Sequence, residues 1–248
     1  MTSTQFPFGE IDKRFIAKLV ETGFTPKVVY DIGASNGSWT WTVSKLMKGA
    51  EFHLFEPQLA SQPAWAETIG NVRKYTPNTT LHPVALGERN GTARLQLFAS
   101  QAAASMLRPG LIDNLKSRLM GKGRSDELEV PMHRLDDYAR KNDLPPPDII
   151  KMDVQGYELE ILKGGEKALK AASVVLAECW IERSYGGKTP LLHEVIDYFS
   201  KRGFVLLDLG ETFLTDRRAI SAVDAYFMRQ DVADTLFAGA GGVLNWRS

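Results

Sequence analysis

The residues best suited to chemistry lie in the stretch VVYDIGASNGSW at residues 28–39. An apolar run ends at Asp31, turns through Gly33 and Gly37, and resumes as a predicted helix at Ser38. A strand, a glycine turn and a helix in this order present backbone N–H groups and the positive end of a helix to a cofactor. The stretch therefore predicts a cofactor site at one edge of an open α/β sheet.

The spacing of the glycines separates the classes of cofactor. A dinucleotide site needs G-x-G-x-x-G, whose second glycine lets the backbone approach a pyrophosphate. Ser35 and Ser38 hold the second and third positions here, which disfavours a nicotinamide dehydrogenase. D-x-G-x-x-x-G better suits a ligand with an amino group and a ribose, and S-adenosylmethionine is the leading candidate. An ordinary βα turn without a ligand is the structural alternative.

A second carboxylate stands where a ribose would need it. Glu56 follows the predicted strand 51–55 and precedes Pro57. It lies about 20 residues beyond Gly33, the separation typical of a ribose-binding acid. Neighbouring parallel strands end side by side, so this carboxylate can accept hydrogen bonds from two vicinal hydroxyl groups. We predict that Glu56 binds a ribose, and a solvated loop acid is the alternative.

Further charged residues occur in DIIKMDVQGYELEILKGG at residues 148–165. Lys151 and Asp153 share one face of a predicted buried strand, where unpaired charge is costly, so they need each other or a ligand. Glu158 falls in the first turn of the following helix, where the helix dipole favours acids. Glu178 lies near the end of the next buried strand. These residues predict a cluster of acids at the sheet edge.

The elements that must position these residues alternate between strands and helices. Predicted helices cover residues 11–22, 38–48, 134–141, 158–164 and 189–202, and predicted strands cover 27–32, 51–55, 80–86, 92–98, 128–132, 149–154, 173–180, 204–209 and 222–229. Asn90-Gly91 predicts a hairpin after the third strand. The last two strands are close enough to form an antiparallel pair. The pattern predicts an α/β fold built on βαβ units.

Residues 99–127 interrupt this alternation. They lack strand character and carry basic residues that include Lys116, Arg118, Lys122 and Arg124. We expect an inserted, lid-like segment of helix or loop, because long insertions in compact domains often cover binding sites. Its basic residues could meet an acidic acceptor such as a phosphorylated sugar, and a solvated helix face is the plainer interpretation. Ser105 in this segment is a candidate contact to the donor or the acceptor.

Length and composition define the broad class. The 248 residues, 44% hydrophobic and 24% charged, fit a single domain over residues 1–248 with a helical extension at 1–26. Thirty basic residues balance thirty acidic ones, so we expect no binding of nucleic acid. The single cysteine, Cys179, excludes an internal disulfide, and no apolar run is long enough for a transmembrane segment. We expect a cytoplasmic protein. No His/Cys spacing marks a metal site, and we predict none.

Taken together, these blocks resemble the FkbM-type family of S-adenosylmethionine-dependent methyltransferases. The matching segments are VYDIGASNG, FEP at 55–57, ALGERNGTARL at 85–95, VPMHRLDDY at 130–138 and IIKMDVQGYELEILKGG at 149–165. The resemblance implies a class I methyltransferase, a Rossmann-like, doubly wound, mostly parallel seven-stranded sheet with an antiparallel last strand. It also implies methyl transfer, commonly to a hydroxyl group of a sugar or natural product. Gln155 stands where many members carry glutamate, so we leave it out of the catalytic set.

The donor-binding residues follow from this resemblance and from the geometry of the sheet edge. Asp31 should orient the ammonium group of the donor, and Glu56 should hold its ribose. The other donor contacts are expected from the glycine turn, from the residue after Glu56, from the end of the third strand and from Asp153: Gly33, Ala34, Ser35, Asn36, Gly37, Pro57, Ala85, Leu86 and Asp153.

A hydroxyl acceptor also needs a base, because an alcohol is nearly as weak an acid as water. Asp153 is the first candidate, since it ends the strand next to the glycine turn. Asp153 could instead pair with Lys151 or bind the donor. Glu158 and Glu178 are further catalytic candidates in the acceptor pocket.

The favoured hypothesis is O-methylation of a hydroxyl group on a sugar, glycan or glycosylated natural product, so that the partner is a small molecule or glycan. Methylation of a nitrogen or a carboxyl group is an alternative that would need less help from a base. A donor-binding module without catalysis, acting in a larger biosynthetic assembly, is the other alternative.

Overall fold

The computed structural model describes residues 10–59, 66–97, 104–105, 127–184, 189–215 and 218–238. Its helices are α1 (Glu10–Glu21), α2 (Ser38–Val43), α3 (Ala66–Tyr75), α4 (Leu135–Lys141), α5 (Glu158–Gly164), α6 (Glu166–Ala171), α7 (Leu192–Ser200) and α8 (Gln230–Phe237). Its strands are β1 (Val28–Ile32), β2 (Glu51–Phe55), β3 (Thr79–His82), β4 (Ala85–Leu86), β5 (Gly91–Leu97), β6 (Ala104–Ser105), β7 (Glu127–His133), β8 (Ile149–Met152), β9 (Val174–Trp180), β10 (Phe204–Leu214) and β11 (Ile220–Arg229). Apart from β6 and residue 127, the predicted lid-like segment at 99–127 lies outside the described residues.

The central element is a seven-stranded sheet with the order β10-β11-β9-β8-β1-β2-β3. Strands β3, β2, β1, β8 and β9 pair in parallel, whereas β11 pairs antiparallel with both β9 and β10. The chain moves outward from β1 to β3 and then resumes on the other side of β1 at β8. Ligands bind at such a reversal in open α/β sheets. The prediction of a doubly wound, mostly parallel α/β sheet with an antiparallel last strand is confirmed.

Helices cover both faces of this sheet, which explains its continuous apolar strands. Val28, Tyr30 and Ile32 of β1 pack into one hydrophobic cluster with residues of α4, α5, α6 and α7. Val29 packs into the other cluster, with residues of α1, α2 and α8. Because side chains alternate along a strand, Asp31 faces the same side as Val29. That side is covered by α1 and α2.

A second, four-stranded sheet has the order β4-β7-β5-β6 and a small core of its own. It corrects two sequence predictions. Residues 80–86 do not form one strand: Pro83, which has no N–H to donate, separates β3 in the large sheet from β4 in the small one. The hairpin predicted at Asn90-Gly91 is also wrong, because β7 lies between β4 and β5. The Asn90 side chain instead bonds to the backbone N–H of Arg134 and to Asp137.

Several element ends differ from the predictions. Helix α2 stops at Val43, five residues early, and the chain continues in turns where the N–H groups of Leu46 and Met47 donate to the carbonyl oxygens of Val43 and Ser44. Strands β10 and β11 are longer than predicted and contain register shifts, and their extension brings Phe213 to the sheet edge. Within the described ranges, no helix is long and apolar enough to cross a membrane.

Candidate active site

A cavity of about 380 Å³ opens where β1, β2, β8 and β9 end. Its volume falls within the range of about 300–1,000 Å³ that is typical of small-molecule sites. Most of the predicted site residues line it: Gly33, Ala34, Ser35, Asn36, Glu56, Pro57, Ala85, Leu86, Asp153 and Glu178. The structure therefore brings together side chains that are far apart in the sequence.

The glycine turn is fixed tightly against its neighbours. The N–H groups of Gly33 and Ala34 donate to the carbonyl oxygen of Phe55 at 2.9 and 3.2 Å. Gly33 has a φ of 75°, and a Cβ there would lie 1.9 Å from the carbonyl oxygen of Asp153. Ser35 also has a positive φ, 50°, which is uncommon outside glycine. The turn can follow this path only with glycine at residue 33.

Glu56 lies against this turn with 5% of its surface exposed. Its Oε2 accepts the N–H of Ser35 at 3.0 Å, and its Oε1 accepts the N–H of Gln58 at 2.9 Å. Burial raises the pKa of Glu56, and the two N–H groups oppose that rise. The Gln58 side chain also bonds to Glu56, so part of the roughly four lone-pair positions of the carboxylate remains for a ligand.

Part of the cavity wall is apolar. Phe55, Val84, Leu86, Leu95 and Ile161 line it. These side chains come from both sheets and from α5, and the Phe55 ring stacks on His82 with its centroid 4.6 Å away. Such a wall suits a flat, weakly polar ring.

Below the turn, Lys151 and Asp31 form a buried ion pair. The Nζ atom of Lys151 lies 3.3 Å from Oδ1 of Asp31 and 3.9 Å from Oδ2 of Asp153, and it donates to the carbonyl oxygen of Gly33 at 3.2 Å. Burial opposes the charge of Lys151, but the two aspartates outweigh it and raise its pKa. Asp31 is fully buried and accepts the Thr40 hydroxyl at 2.7 Å. It does not line the cavity and lies behind the turn.

The acidic end of the cavity is organised around Gln155. Its Nε2 atom donates to Oδ1 of Asp153 at 3.0 Å and to Oε2 of Glu178 at 3.1 Å. Asp153 keeps 31% of its side chain exposed, whereas Glu178 is 8% exposed. Burial, followed by the charge of Asp153, raises the pKa of Glu178 well above its ordinary value.

Two further predicted site residues, Glu158 and Gly37, do not line the cavity. Glu158 is buried beneath it, where its Oε1 accepts the N–H groups of Val154 and Gly156 at 3.3 and 3.2 Å. Gly37 packs against Val72 instead. Ser105 lies in β6, with its backbone opposite Gln96. Within the described ranges, no group of three His, Cys, Asp or Glu side chains is arranged to hold a metal ion.

The structure adds lining residues that the sequence prediction missed. Trp39 lies two residues after the glycine turn, and Gln58 lies two residues after Glu56. Their closeness in sequence to predicted site residues was the signal that could have identified them. The indole N–H of Trp39 donates to Oδ2 of Asp12 on α1 at 2.7 Å. Phe213 comes from the extension of β10, and no sequence pattern pointed to it. Gln155 was set aside as a departure from the family pattern.

Comparisons with known proteins agree with this geometry. The sequence profile of the methyltransferase FkbM domain matches residues 31–206. The 2-O-methyltransferase NoeI of Sinorhizobium fredii is 26% identical over 170 residues, which cover 66% of this chain and 68% of NoeI. The hexuronic acid methyltransferase AglP of Haloferax volcanii is 40% identical over 163 residues, which cover 66% of this chain and 60% of AglP.

A solved structure shares the fold. The crystal structure of a methyltransferase FkbM from Methylobacillus flagellatus aligns with a TM-score of 0.50 and 21% identity, over 82% of this chain and 43% of that one. This chain thus spans 60% of AglP and less than half of the Methylobacillus protein. The family profile covers most of the chain, including both strand ends that carry Glu56 and Asp153. The chain belongs to the methyltransferase FkbM domain family.

Proposed function

We propose that this chain transfers a methyl group from S-adenosylmethionine to a hydroxyl group of a carbohydrate. One observation carries the proposal: a single cavity has Glu56 beside the glycine turn and the acids Asp153 and Glu178 at another part of its wall. A donor bound at the turn and an acceptor bound at the acids would meet inside that cavity. The sequence resemblance led to the same donor.

The lining residues fit this donor. Glu56 lines the cavity beside the turn, and a carboxylate there suits the hydroxyl groups of a ribose as hydrogen-bond donors. The backbone from Gly33 to Asn36 would border the methionine portion, and Ala85 and Leu86 would flank the adenine ring. When bound, the donor supplies an electrophilic sulfonium methyl group. The protein therefore has mainly to aim the acceptor oxygen and to exclude water.

In this proposal Asp153 acts as the base. It is the more exposed of the two acids in the cavity, and its carboxylate can accept the hydroxyl proton while the new bond forms. Lys151 pairs with its Oδ2 atom, and Gln155 donates a hydrogen bond to its Oδ1 atom. We assign Asp31 and Glu158 supporting roles, because both are buried away from the cavity.

The names of the relatives support an oxygen acceptor on a sugar. NoeI is named for transfer to a 2-O position and AglP for a hexuronic acid. Since this chain spans part of AglP, the acceptor remains a proposal for the chain itself.

Isotope-labelled donor tests the proposal. Calorimetry measures donor binding, and incubation with extracted glycans followed by NMR of the labelled methyl group identifies the acceptor atom. We expect saturable donor binding and a methyl signal on a sugar oxygen. A label on nitrogen or on a carboxyl group would contradict the proposal, and donor binding without transfer to any glycan would favour a non-catalytic module.

A further inference from the structure

We propose that Gln155 is a positioning residue that holds Asp153 and Glu178 as a pair, and that this pair receives two neighbouring hydroxyl groups of an uncharged sugar. The inference rests on the proposed function and deepens it by naming the class of acceptor. It gives a role to a residue that the family pattern alone would set aside.

The first argument is the geometry of the amide. A side-chain amide nitrogen carries two hydrogens, and Nε2 of Gln155 donates to Asp153 at 3.0 Å and to Glu178 at 3.1 Å. One nitrogen thus ties together two carboxylates that come from the ends of β8 and β9. A glutamate at this residue could not donate either hydrogen bond.

The second argument is the support of the backbone beneath the amide. Gln155 has a φ of 56°, in the left-handed region, and Gly156 follows with a φ of 95°. Oε1 of Glu158 accepts the N–H groups of Val154 and Gly156, on either side of Gln155. A non-glycine residue in this region costs free energy and persists where its surroundings hold it. The buried Glu158 carboxylate supplies that hold, so the amide stays aimed at the two acids.

The third argument concerns what the pair can bind. Gln155 donates to one oxygen of Asp153 and to one oxygen of Glu178, and both of these acids line the cavity. The oxygens of a carboxyl group accept hydrogen bonds whether or not it is protonated, so two such groups tied to one nitrogen match two adjacent hydroxyl donors. Vicinal hydroxyl groups are the common feature of sugars. One hydroxyl would lie at Asp153, the proposed base, and its neighbour at Glu178.

The fourth argument is the balance of charge. A side cavity of about 30 Å³ adjoins the main one and is lined by three more acids, Asp12, Glu211 and Asp224. Among the described residues that line either cavity, Lys151 is the sole cation, and it is already paired with Asp31. Burial raises the pKa of Asp224 to about 8, and burial together with neighbouring acids raises that of Glu178. The region thus resists added negative charge, which disfavours an acceptor with a carboxylate or phosphate near the methylated hydroxyl.

Two variants test the positioning role. Gln155→Glu keeps the length of the side chain but places a carboxylate against two others. Gln155→Asn keeps an amide and tolerates the left-handed backbone, but is one methylene too short to reach both acids. For Gln155→Glu we expect the acceptor KM to rise at least about tenfold and the acid limb of the kcat/KM profile to move up by about one pH unit, because a like charge raises the pKa of the base.

Gln155→Asn should raise the acceptor KM with a smaller shift of the acid limb. The donor Kd should stay within about twofold for both variants, since the amide nitrogen of Gln155 bonds to Asp153 and Glu178. Glu166→Gln, an exposed acid on α6, is the control and should behave as wild type. An unchanged acceptor KM and an unchanged acid limb in Gln155→Glu would overturn the inference.

A titration that needs no acceptor separates this inference from the proposed function. Carbon-13 NMR of the side-chain carboxyl groups follows Asp153 and Glu178 in wild type and in Gln155→Glu. We expect the apparent pKa of the pair to be at least about one unit higher in the variant. Equal titrations would overturn the positioning role even if methyl transfer is observed, and a raised value would support it even if no acceptor is found.

Chemical treatment of the glycans that the wild-type protein methylates tests the acceptor class. Periodate cleaves vicinal diols, whereas carbodiimide activation followed by borohydride converts uronic acids to neutral sugars. We expect periodate to abolish methyl incorporation and carboxyl reduction to leave it intact. Incorporation that survives periodate, or that is lost on carboxyl reduction, would overturn the uncharged-diol inference while leaving methyl transfer established.

Discussion

The carbonyl oxygen of Asp153 occupies the space that a side chain at residue 33 would need, since a Cβ on Gly33 would lie 1.9 Å from it. This contact joins the turn after β1 to the end of β8, on the two sides of the point where the strand order reverses. The proposed donor site and the proposed base are therefore parts of one packed unit. A side chain added at residue 33 would therefore displace the backbone that carries Asp153.

Gly33→Ala should disrupt this unit. The new methyl group would collide with a backbone carbonyl, and the φ of 75° would add strain. We expect the free energy of unfolding to fall by at least about 2 kcal/mol and the donor Kd to rise at least about tenfold. Urea unfolding and calorimetry measure the two effects.

Gly70→Ala is the matched control for that variant. Gly70 lies in α3, and a Cβ there meets nothing within 4 Å. This change should leave donor binding unaltered and stabilise the protein by about 0.5–1 kcal/mol through helix propensity. Equal donor binding by Gly33→Ala and Gly70→Ala would contradict the account of the turn.

Glu56→Gln tests the proposed ribose contact. The amide that replaces one carboxylate oxygen would face a backbone N–H of Ser35 or Gln58, and the charge that strengthens hydrogen bonds to hydroxyl groups would be lost. A hydrogen bond to a charged group contributes about 1.5–3 kcal/mol, so we expect the donor Kd to rise about 10- to 150-fold. Calorimetry with the demethylated donor measures the Kd. An unchanged Kd would show that Glu56 does not bind the ribose.

Asp153→Asn tests the proposed base. The asparagine keeps the shape of the side chain but cannot take a proton, so kcat should fall about 10²- to 10⁴-fold. Donor binding should change little. Asp197→Asn is the control, because it removes an exposed acid on α7 that is paired with Lys201. Activity close to wild type in Asp153→Asn would favour an acceptor that needs no base, such as an amine.

Glu158 should make stability depend on pH. Burial raises the pKa of Glu158 to about 7, so the folded protein binds this proton more tightly than the unfolded chain does. The stabilisation is therefore complete below the ordinary pKa near 4.5 and is lost as the pH rises through about 7.

The variant Glu158→Gln isolates that effect, because its amide oxygen can still accept the N–H groups of Val154 and Gly156. Between pH 5 and pH 8 the wild-type protein should lose on the order of 2–3 kcal/mol relative to the variant. Urea unfolding at several pH values measures the difference. Parallel pH dependences for the two proteins would show that the Glu158 carboxyl does not titrate in this way.

Local patterns predicted the parts of the site that depend on neighbouring residues. The strand, glycine turn and following acid near Gly33 and Glu56 could be read directly, because parallel strands end at one edge. The side of the sheet to which the Asp31 side chain points could not be predicted from the sequence. Both faces of β1 are buried, so its apolar run does not tell which face carries Asp31 toward α2 and which carries Ile32 toward the cavity.

Contacts between distant parts of the chain escaped prediction for a different reason. Strand β7 enters between β4 and β5, and no local signal specifies that pairing. Phe213 reaches the cavity because β10 continues past the end of its predicted span. In the sequence, Gln155 is visible only as a departure from the family pattern, and its contacts form only because the ends of β8 and β9 bring Asp153 and Glu178 to its amide.

A crystal structure with the demethylated donor, S-adenosylhomocysteine, tests the central claim most directly. The account predicts that the ribose hydroxyl groups bond to Glu56, that the homocysteine portion lies along the turn at Gly33, and that the space beside the sulfur opens toward Asp153. A ligand bound elsewhere on the protein, or a cavity still closed by its own side chains at saturating ligand, would contradict it.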